Sequence, residues 1–247
     1  MDWRDHDSVV TPIKDQGLCG SCWAFTATEV LESHLALATG KQMILSAQNV
    51  TSCANTPDHC GGLGGCNGGT PEVGFGFAQK YGITMESLWP YAENTGICMS
   101  HGSPVVKASG CVRTLSNSYN ATMRAVASGP VAINVDAASW VSYHSGVFDM
   151  CEDQAQYEVN HAVQLVGYGV KLGAPYWIVR NHWGAGWGES GYMRIRRSPD
   201  DGSGAKCKLD TSPQSGVGCD GGPTEVTVCG ECGVWFDVSY PTGVHLV

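Results

Sequence analysis

Apolar residues recur at helical spacing between Cys22 and Thr39, and this pattern predicts one long buried helix. Gly40 follows the last periodic residue, and glycine is the residue type that most often ends a helix. The stretch TSCANTPDHCGGLGGCNGG, residues 51–69, has neither a helical nor a strand period and is predicted to form loops. The apolar positions of the helix are Ala27, Val30, Leu31, Leu35 and Ala38.

After about residue 112 the pattern changes to short runs rich in β-branched and aromatic residues. The runs PVAINVDA, HAVQLVGYG, YWIVRN and GYMRIRR predict antiparallel strands, and the last alternates apolar residues with arginine. We therefore expect a helical lobe over 8–112 and a β-rich lobe over 113–240. A span at about 199–230 is rich in Gly, Ser, Pro, Asp and Thr and contains three cysteines, which predicts a surface insertion.

The 247 residues, 43% of them hydrophobic, are enough to bury a substantial core. The 23 acidic and 14 basic residues give a formal charge of -9, the wrong sign for binding nucleic acid phosphates or anionic lipid. The sequence has no apolar window long enough to span a membrane, and its start, MDWRDHDSVV, lacks the features of a signal peptide. We expect neither a nucleic acid nor a membrane partner.

Twelve cysteines at irregular spacing favour an oxidising compartment, and two of them raise a question of function. In QGLCGSCWAF, residues 16–25, the CGSC pair could be a redox motif, half of a zinc site, or a nucleophile beside a structural cysteine. A redox CxxC should follow a strand, and none is predicted here. A zinc site needs four converging ligands, whereas the second pair, CGEC at 229–232, lies in the other lobe.

Acyl transfer by a cysteine needs a nearby imidazole and a group that orients the imidazole. Of the eight histidines, His161 opens an apolar strand in VNHAVQLVGYG. Asn181 ends a later strand in YWIVRNHWGAGWG, where its amide oxygen could accept the imidazole N–H. Trp183 could shield that hydrogen bond from water. These residues favour a nucleophilic Cys22.

Five motifs in this order resemble the papain family of cysteine proteases: QGLCGSCWAF, GCNGG (65–69), NHAV (160–163), RNHWGAGWGESGY (180–192) and CGVWFDVSYP (232–241). The similarity runs from Asp2 to about Pro241, with His161 lying 139 residues beyond Cys22. It implies an α+β fold with a helical left lobe, an antiparallel β-barrel-like right lobe, and an active-site cleft between them.

The resemblance also implies a role for each matching residue. Cys22 is the expected nucleophile, His161 the general base and acid, Asn181 the orienting group, and Gln16 an oxyanion donor together with the Cys22 N–H. The expected substrate-binding residues are Gly68, Gly69, Pro71, Asn160, Trp183 and Asp237. A thiolate beside an imidazolium at a helix start predicts a thiol pKa lowered to about 3.5 to 7.5, and hence activity at acidic to neutral pH. No metal or cofactor is expected.

The family's disulfides imply pairs Cys19–Cys66, Cys53–Cys98 and Cys151–Cys232. We further predict a Cys60–Cys111 bond. With Cys22 free, this leaves one unpaired cysteine among Cys207, Cys219 and Cys229.

Two positions depart from the family pattern or bear on specificity. His182 stands where the family usually has serine; it is either a solvent-facing bystander or a residue that changes the pH profile. Asp237 aligns with the floor of the pocket for the second residue before the scissile bond. It predicts acceptance of both apolar and basic side chains, unless it points to solvent.

The predicted function is that of a cysteine endopeptidase, since the loop around His101 lacks the paired histidines of carboxydipeptidase relatives. The alternatives are a catalytically idle papain-like binding protein and, more remotely, a CxxC thiol-disulfide oxidoreductase. The resemblance implies protein or peptide substrates, a cleaved pro-segment, cystatin-like inhibitors, a monomer, and a lysosomal, vacuolar or secreted location. It also predicts that the chain is the mature form of a zymogen.

Overall fold

The computed structural model describes residues 1–199 and 206–247. The α-helices are α1 (Cys22–Thr39), α2 (Ala47–Cys53), α3 (Pro71–Lys80) and α4 (Tyr119–Ser128). The strands are β1 (Val106–Lys107), β2 (Gly110–Arg113), β3 (Val131–Val135), β4 (Val147–Phe148), β5 (His161–Lys171), β6 (Ala174–Arg180), β7 (Tyr192–Arg196), β8 (Cys207–Asp210), β9 (Val226–Cys229), β10 (Asp237–Thr242) and β11 (His245–Leu246). Short 3-10 turns cover Trp3–Asp5, Met150–Asp153, Pro213–Ser215 and Glu231–Gly233.

Helix α1 confirms the helix predicted from the apolar period. Gly40 caps its C-terminus in the left-handed conformation, with a φ of 70°, and donates its N–H to the Ala36 carbonyl at 2.7 Å. The helix is buried nearly all round, because α3 packs on one side and β5 on the other. Of the predicted loop region, residues 51–53 instead form the end of α2.

Seven strands form the main sheet, in the order β2-β10-β3-β5-β6-β7-β4. Every neighbouring pair is antiparallel except β4 and β7, so the antiparallel strands predicted from the sequence are confirmed for most of the sheet. The helices and the mostly antiparallel sheet confirm the expected α+β fold, and within the described residues the strand order of the sheet is open. Strand β4 has two residues and runs parallel to β7, so it ends the ladder instead of closing it on β2.

Two hydrophobic clusters lie on either side of the α1–β5 contact. One surrounds α1 and includes Phe75, while the other lies against the main sheet and includes Trp140, Trp177 and Trp235. The division into 8–112 and 113–240 stays a prediction, and β2 crosses that boundary as part of the main sheet. Cys22 and His161, the first residues of α1 and β5, therefore meet at the junction of the clusters.

The predicted insertion at 199–230 is partly outside the described residues, which omit 200–205. Its remainder is a hairpin in which β8 and β9 pair antiparallel, with Val228 fully buried in the β-rich cluster. The span therefore packs into the core as well as reaching the surface. Among the described residues, no helix combines the length and apolar character needed to cross a membrane.

Candidate active site

The Cys22 thiol lies at the N-terminus of α1, where backbone N–H groups are free of intrahelical partners. Ser21 occupies the N-cap but makes no capping hydrogen bond with its side chain. Burial raises the pKa of the Cys22 thiol, against hydrogen bonds from the backbone N–H groups of Ala162, Trp23 and Cys22, which lower it. Because Ala162 directly follows His161, the contact places the thiol beside the start of β5.

His161 and Asn181 are held together by the sheet. Strands β5 and β6 are antiparallel neighbours, so the first residue of β5 and the residue after β6 share one end of the pair. The His161 Nε2 atom lies 2.9 Å from Asn181 Oδ1, and both residues are buried. An Nε2–H donated to the amide oxygen leaves Nδ1 as the proton acceptor. The Trp183 ring lies 5.0 Å from the imidazole, centre to centre, so it packs beside the catalytic histidine candidate.

Burial is also the main influence on the imidazole. Burial and the charge of His182 lower the pKa of His161 to about 3, against the hydrogen bond to Asn181 and the charge of Glu29, which raise it. Burial thus disfavours both the thiolate and the imidazolium. For Cys22 this effect is opposite to the lowered thiol pKa that the sequence predicts. A Cys22–His161 ion pair must draw its stability from the attraction between the two charges and from the backbone N–H groups at the sulfur.

The side chain of Gln16 is anchored next to the nucleophile. Its Nε2 donates to the Cys19 carbonyl at 2.9 Å, and its backbone N–H donates to the His182 carbonyl at 2.9 Å. The Tyr91 hydroxyl donates to the Gln16 carbonyl, also at 2.9 Å. An amide nitrogen carries two N–H groups, so Nε2 keeps a second donor that an oxyanion could use.

The expected substrate-binding backbone lies on both sides of the junction. On the α1 side, Gly68 has a φ of 87°, and a Cβ on Gly69 would lie 2.8 Å from the Trp23 ring, so both positions require glycine. Pro71 follows at the first position of α3 and is buried. On the sheet side, Asn160 is exposed, and its Oδ1 accepts from the Ala137 N–H at 3.1 Å.

Asp237 is buried and does not point to solvent. Its carboxylate accepts from Arg113 Nε at 2.5 Å and from Asn134 Nδ2 at 3.0 Å. Burial and the charge of Glu72 nevertheless raise the pKa of Asp237 to about 7, because they outweigh the attraction of Arg113 and the hydrogen bonds. The contact with Arg113 was not predicted from the sequence, because it arises from the pairing of β2 with β10.

His182 is fully buried, so the interpretation as a solvent-facing bystander is wrong. Its ring lies 5.1 Å from the His161 ring and 5.5 Å from that of Phe25. Behind it, His182 Nδ1 lies 3.7 Å from a Glu29 carboxylate oxygen, and Arg180 lies 3.4 Å from the other oxygen. The sequence analysis missed this charged group, although Glu29 and Glu32, two acidic residues inside a helix predicted to be buried, were a visible signal.

The disulfides decide the role of the CGSC motif. Cys19 bonds to Cys66, so the motif is not a redox disulfide, and Cys22 is free. In CGEC, Cys229 bonds to Cys207 and Cys232 to Cys151, so this motif offers no thiolate pair to a metal. These disulfides exclude a redox-active CGSC pair and a zinc site shared by the CGSC and CGEC motifs.

The remaining cysteine pairs include one error in our predictions. Cys53 bonds to Cys98, as the resemblance implies. The predicted Cys60–Cys111 bond is wrong, because Cys60 bonds to Cys219. The unpaired cysteine is therefore the exposed Cys111 on β2, not a member of the insertion. The spacing of the cysteines did not reveal that Cys219 is the partner of Cys60, because the two lie 159 residues apart in the chain.

Comparisons with known proteins identify the family. The model of the papain family of cysteine proteases matches residues 1–217. A thiol protease, SEN102, from Hemerocallis sp. is 42% identical over 214 residues, which cover 85% of this chain and 57% of the relative. The KDEL-tailed cysteine endopeptidase CEP2 from Arabidopsis thaliana is 40% identical over 246 residues, covering 98% of this chain and 58% of the relative. The chain thus spans somewhat more than half the length of these relatives.

Solved structures show the same likeness. The bromelain protease from Ananas comosus in complex with the E64 inhibitor is 35% identical, with a TM-score of 0.75, and the match covers 98% of this chain and 97% of that one. The proform of Amb a 11, a cysteine protease and ragweed pollen allergen, is 32% identical, with a TM-score of 0.75, and the match covers 98% of this chain and 64% of that one. This chain belongs to the papain family of cysteine proteases.

Proposed function

We propose that this chain carries a cysteine endopeptidase that cleaves peptide bonds through an acyl-enzyme. The observation that carries the proposal is the 2.9 Å contact between His161 Nε2 and Asn181 Oδ1 at the lobe junction that holds the free Cys22 thiol. A nucleophile, a base and an orienting group on three separate elements are the parts that thiol acyl transfer requires.

In the first half of the reaction, the thiol proton moves to His161 Nδ1 and the sulfur attacks the substrate carbonyl carbon. The oxygen gains negative charge and receives hydrogen bonds from the Cys22 backbone N–H and Gln16 Nε2. The imidazolium then gives its proton to the leaving nitrogen, the C–N bond breaks, and an amine departs. Cys22 is left as a thioester.

In the second half, His161 takes a proton from water as the water oxygen attacks the thioester carbonyl. The C–S bond breaks, the sulfur leaves as a thiolate, and the imidazolium returns the proton to it. The products are a carboxylic acid and the free enzyme. Asn181 keeps the same ring nitrogen facing the reaction through both halves.

Substrate backbone would pair with Gly69 on one wall and with the Asn160 carbonyl on the other, in an extended strand. Gly68 and Pro71 shape the first wall, and Trp183 covers the leaving-group side. For the second residue before the scissile bond we propose a pocket with Asp237 at its floor. Since Arg113 already holds that carboxylate, apolar side chains should be favoured at low pH, and basic ones should gain as Asp237 ionises near pH 7.

The cellular setting is also a proposal. The described residues hold five disulfides, which fits a lysosomal, vacuolar or secreted location. A pro-segment is supported by similarity to pro-cathepsin H from Bos taurus and to the proform structure of Amb a 11. We further propose that the protein acts as a monomer and is bound by cystatin-like inhibitors.

The test is turnover of a fluorogenic Phe-Arg dipeptide amide at mildly acidic pH with gentle reductant. We expect activity in the wild type and its loss in Cys22→Ala. Cys111→Ala is the matched control, because it removes the other free thiol of the described residues and should keep full activity. A folded wild-type protein with no turnover would instead support the idle binding protein.

A further inference from the structure

Residues 206–230, here called the arm, leave the β-rich lobe and reach the other lobe. The base of the arm is pinned to the segment before His161. The Leu209 carbonyl accepts from the Tyr157 N–H at 3.0 Å, and the buried Asp210 carboxylate accepts from the Val159 N–H at 3.0 Å. These contacts fix the arm to the sheet-side wall of the active site.

The tip of the arm is attached to the wall on the α1 side. Cys219 bonds to Cys60, which joins positions 159 residues apart. Backbone hydrogen bonds flank this disulfide: the Gly61 N–H donates to the Gly218 carbonyl, and the Asp220 N–H donates to the Asp58 carbonyl, both at 2.9 Å.

The same loop on the α1 side supports the expected substrate strand. Gly62 and Gly68 form an antiparallel bridge, and the Gly64 N–H donates to the Gly68 carbonyl at 2.8 Å. The arm is therefore joined, through a few residues of backbone, to the positions that would pair with substrate.

Gly216 shows how closely the arm fills the space between the two walls. A Cβ on Gly216 would lie 1.7 Å from the Val159 carbonyl oxygen and 3.1 Å from the Asn160 nitrogen. A Cβ on Gly61 would lie 2.5 Å from the Gly216 carbonyl oxygen and 2.8 Å from that of Gly69. One residue of the arm thus lies against the backbone of both walls, next to the two positions, Gly69 and Asn160, proposed to hold substrate.

We propose that the arm closes the end of the cleft that receives the N-terminal part of the substrate. This inference rests on the proposed function. A substrate strand that pairs with Gly69 and Asn160 would meet the arm at about its third residue before the scissile bond. The arm thus narrows the endopeptidase activity: cleavage is most efficient when only two residues precede the scissile bond, and internal bonds behind longer N-terminal extensions are cleaved more slowly because the arm must first be displaced.

The test compares two fluorogenic substrates, a Phe-Arg amide with a free N-terminus and the same amide extended by three alanines. For the wild type, with the Cys60–Cys219 bond verified by non-reducing peptide mapping, we expect kcat/KM to be at least about tenfold lower for the extended substrate. In the double variant Cys60→Ser, Cys219→Ser, the ratio of kcat/KM for the extended substrate to that for the short one should rise by about tenfold. The matched control, Cys53→Ser, Cys98→Ser, removes a disulfide within the helical lobe and should leave the ratio unchanged.

A second variant keeps the disulfide and moves the arm. In Gly216→Ala the new methyl group would overlap the Val159 carbonyl oxygen, so the tip of the arm must shift. The kcat/KM for the extended substrate should then rise relative to that for the short one. Equal kcat/KM for both substrates in the wild type, or an unchanged ratio in both arm variants, would overturn the proposal. Failure of the wild type to cleave either substrate would instead contradict the proposed function.

Discussion

Replacing His182 by serine removes a buried imidazole whose ring centre lies 5.1 Å from that of His161. The charge of His182 lowers the pKa of His161, so its removal should raise that pKa. The alkaline limb of the pH dependence of kcat/KM, where the His161 imidazolium loses its proton, should therefore move to higher pH in His182→Ser.

The size of the shift follows from Coulomb's law. At 5.1 Å two unit charges interact by about 3 kcal/mol with an effective dielectric constant of about 20, and by about 0.8 kcal/mol in bulk water. At about 1.36 kcal/mol per pH unit, these limits correspond to shifts of about 2.4 and 0.6 units. Because Glu29 lies 3.7 Å from His182 and opposes its charge, we expect a value near the lower limit, about 0.5 to 1 unit.

The assay is a full pH profile of kcat/KM for the short substrate, with thermal unfolding measured in parallel. His245→Ser is the matched control, since it removes an exposed histidine near the C-terminus and should leave the profile in place. A His182→Ser profile that superimposes on that of the wild type would refute the electrostatic argument. Lower activity without a shift would reduce His182 to a packing role.

Three further predictions concern other parts of the molecule. Gly74→Ala should lower the free energy of unfolding by about 1 to 3 kcal/mol, because the new Cβ would lie 2.4 Å from that of Ala27. A Cβ at Gly76, in the same helix, would meet open space, so Gly76→Ala should raise the free energy of unfolding by about 0.5 to 1 kcal/mol. A denaturant titration measures both changes. At the second residue before the scissile bond, the ratio of kcat/KM for Arg to that for Phe should rise as the pH passes about 7, because ionised Asp237 attracts a cation. An equal rise of this ratio in Asp237→Asn would contradict the assignment of Asp237 to this pocket. Gln16→Ala should lower kcat by about 100- to 1000-fold in steady-state assays, and a loss below tenfold would remove Gln16 from the oxyanion hole.

The sequence predicted the parts of this fold in which local pattern and tertiary packing agree. Helix α1 has both an apolar period and a terminal Gly40, and β5 is largely apolar over its first seven residues because both of its faces are buried there. His161 and Asn181 could be predicted as partners because each stands at the end of such a strand.

Long-range features could not be read in this way. The Cys60–Cys219 bond depends on how the arm reaches the loop that holds Cys60, and cysteine spacing does not encode that path. The burial of His182 depends on Phe25 and Glu29 behind it, so its position after a strand gave no sign of its environment. The Arg113–Asp237 contact likewise requires knowledge of the register between two strands distant in sequence.

The central claim is that the Cys22 sulfur carries the acyl group during turnover. The most direct test is to quench the wild-type protein in acid while it cleaves a dipeptide ester, and to map the added mass by peptide mass spectrometry. We predict an acyl adduct on the peptide that contains Cys22, and none in Cys22→Ala. Turnover without an adduct on that peptide, or an adduct on Cys111 instead, would contradict the account.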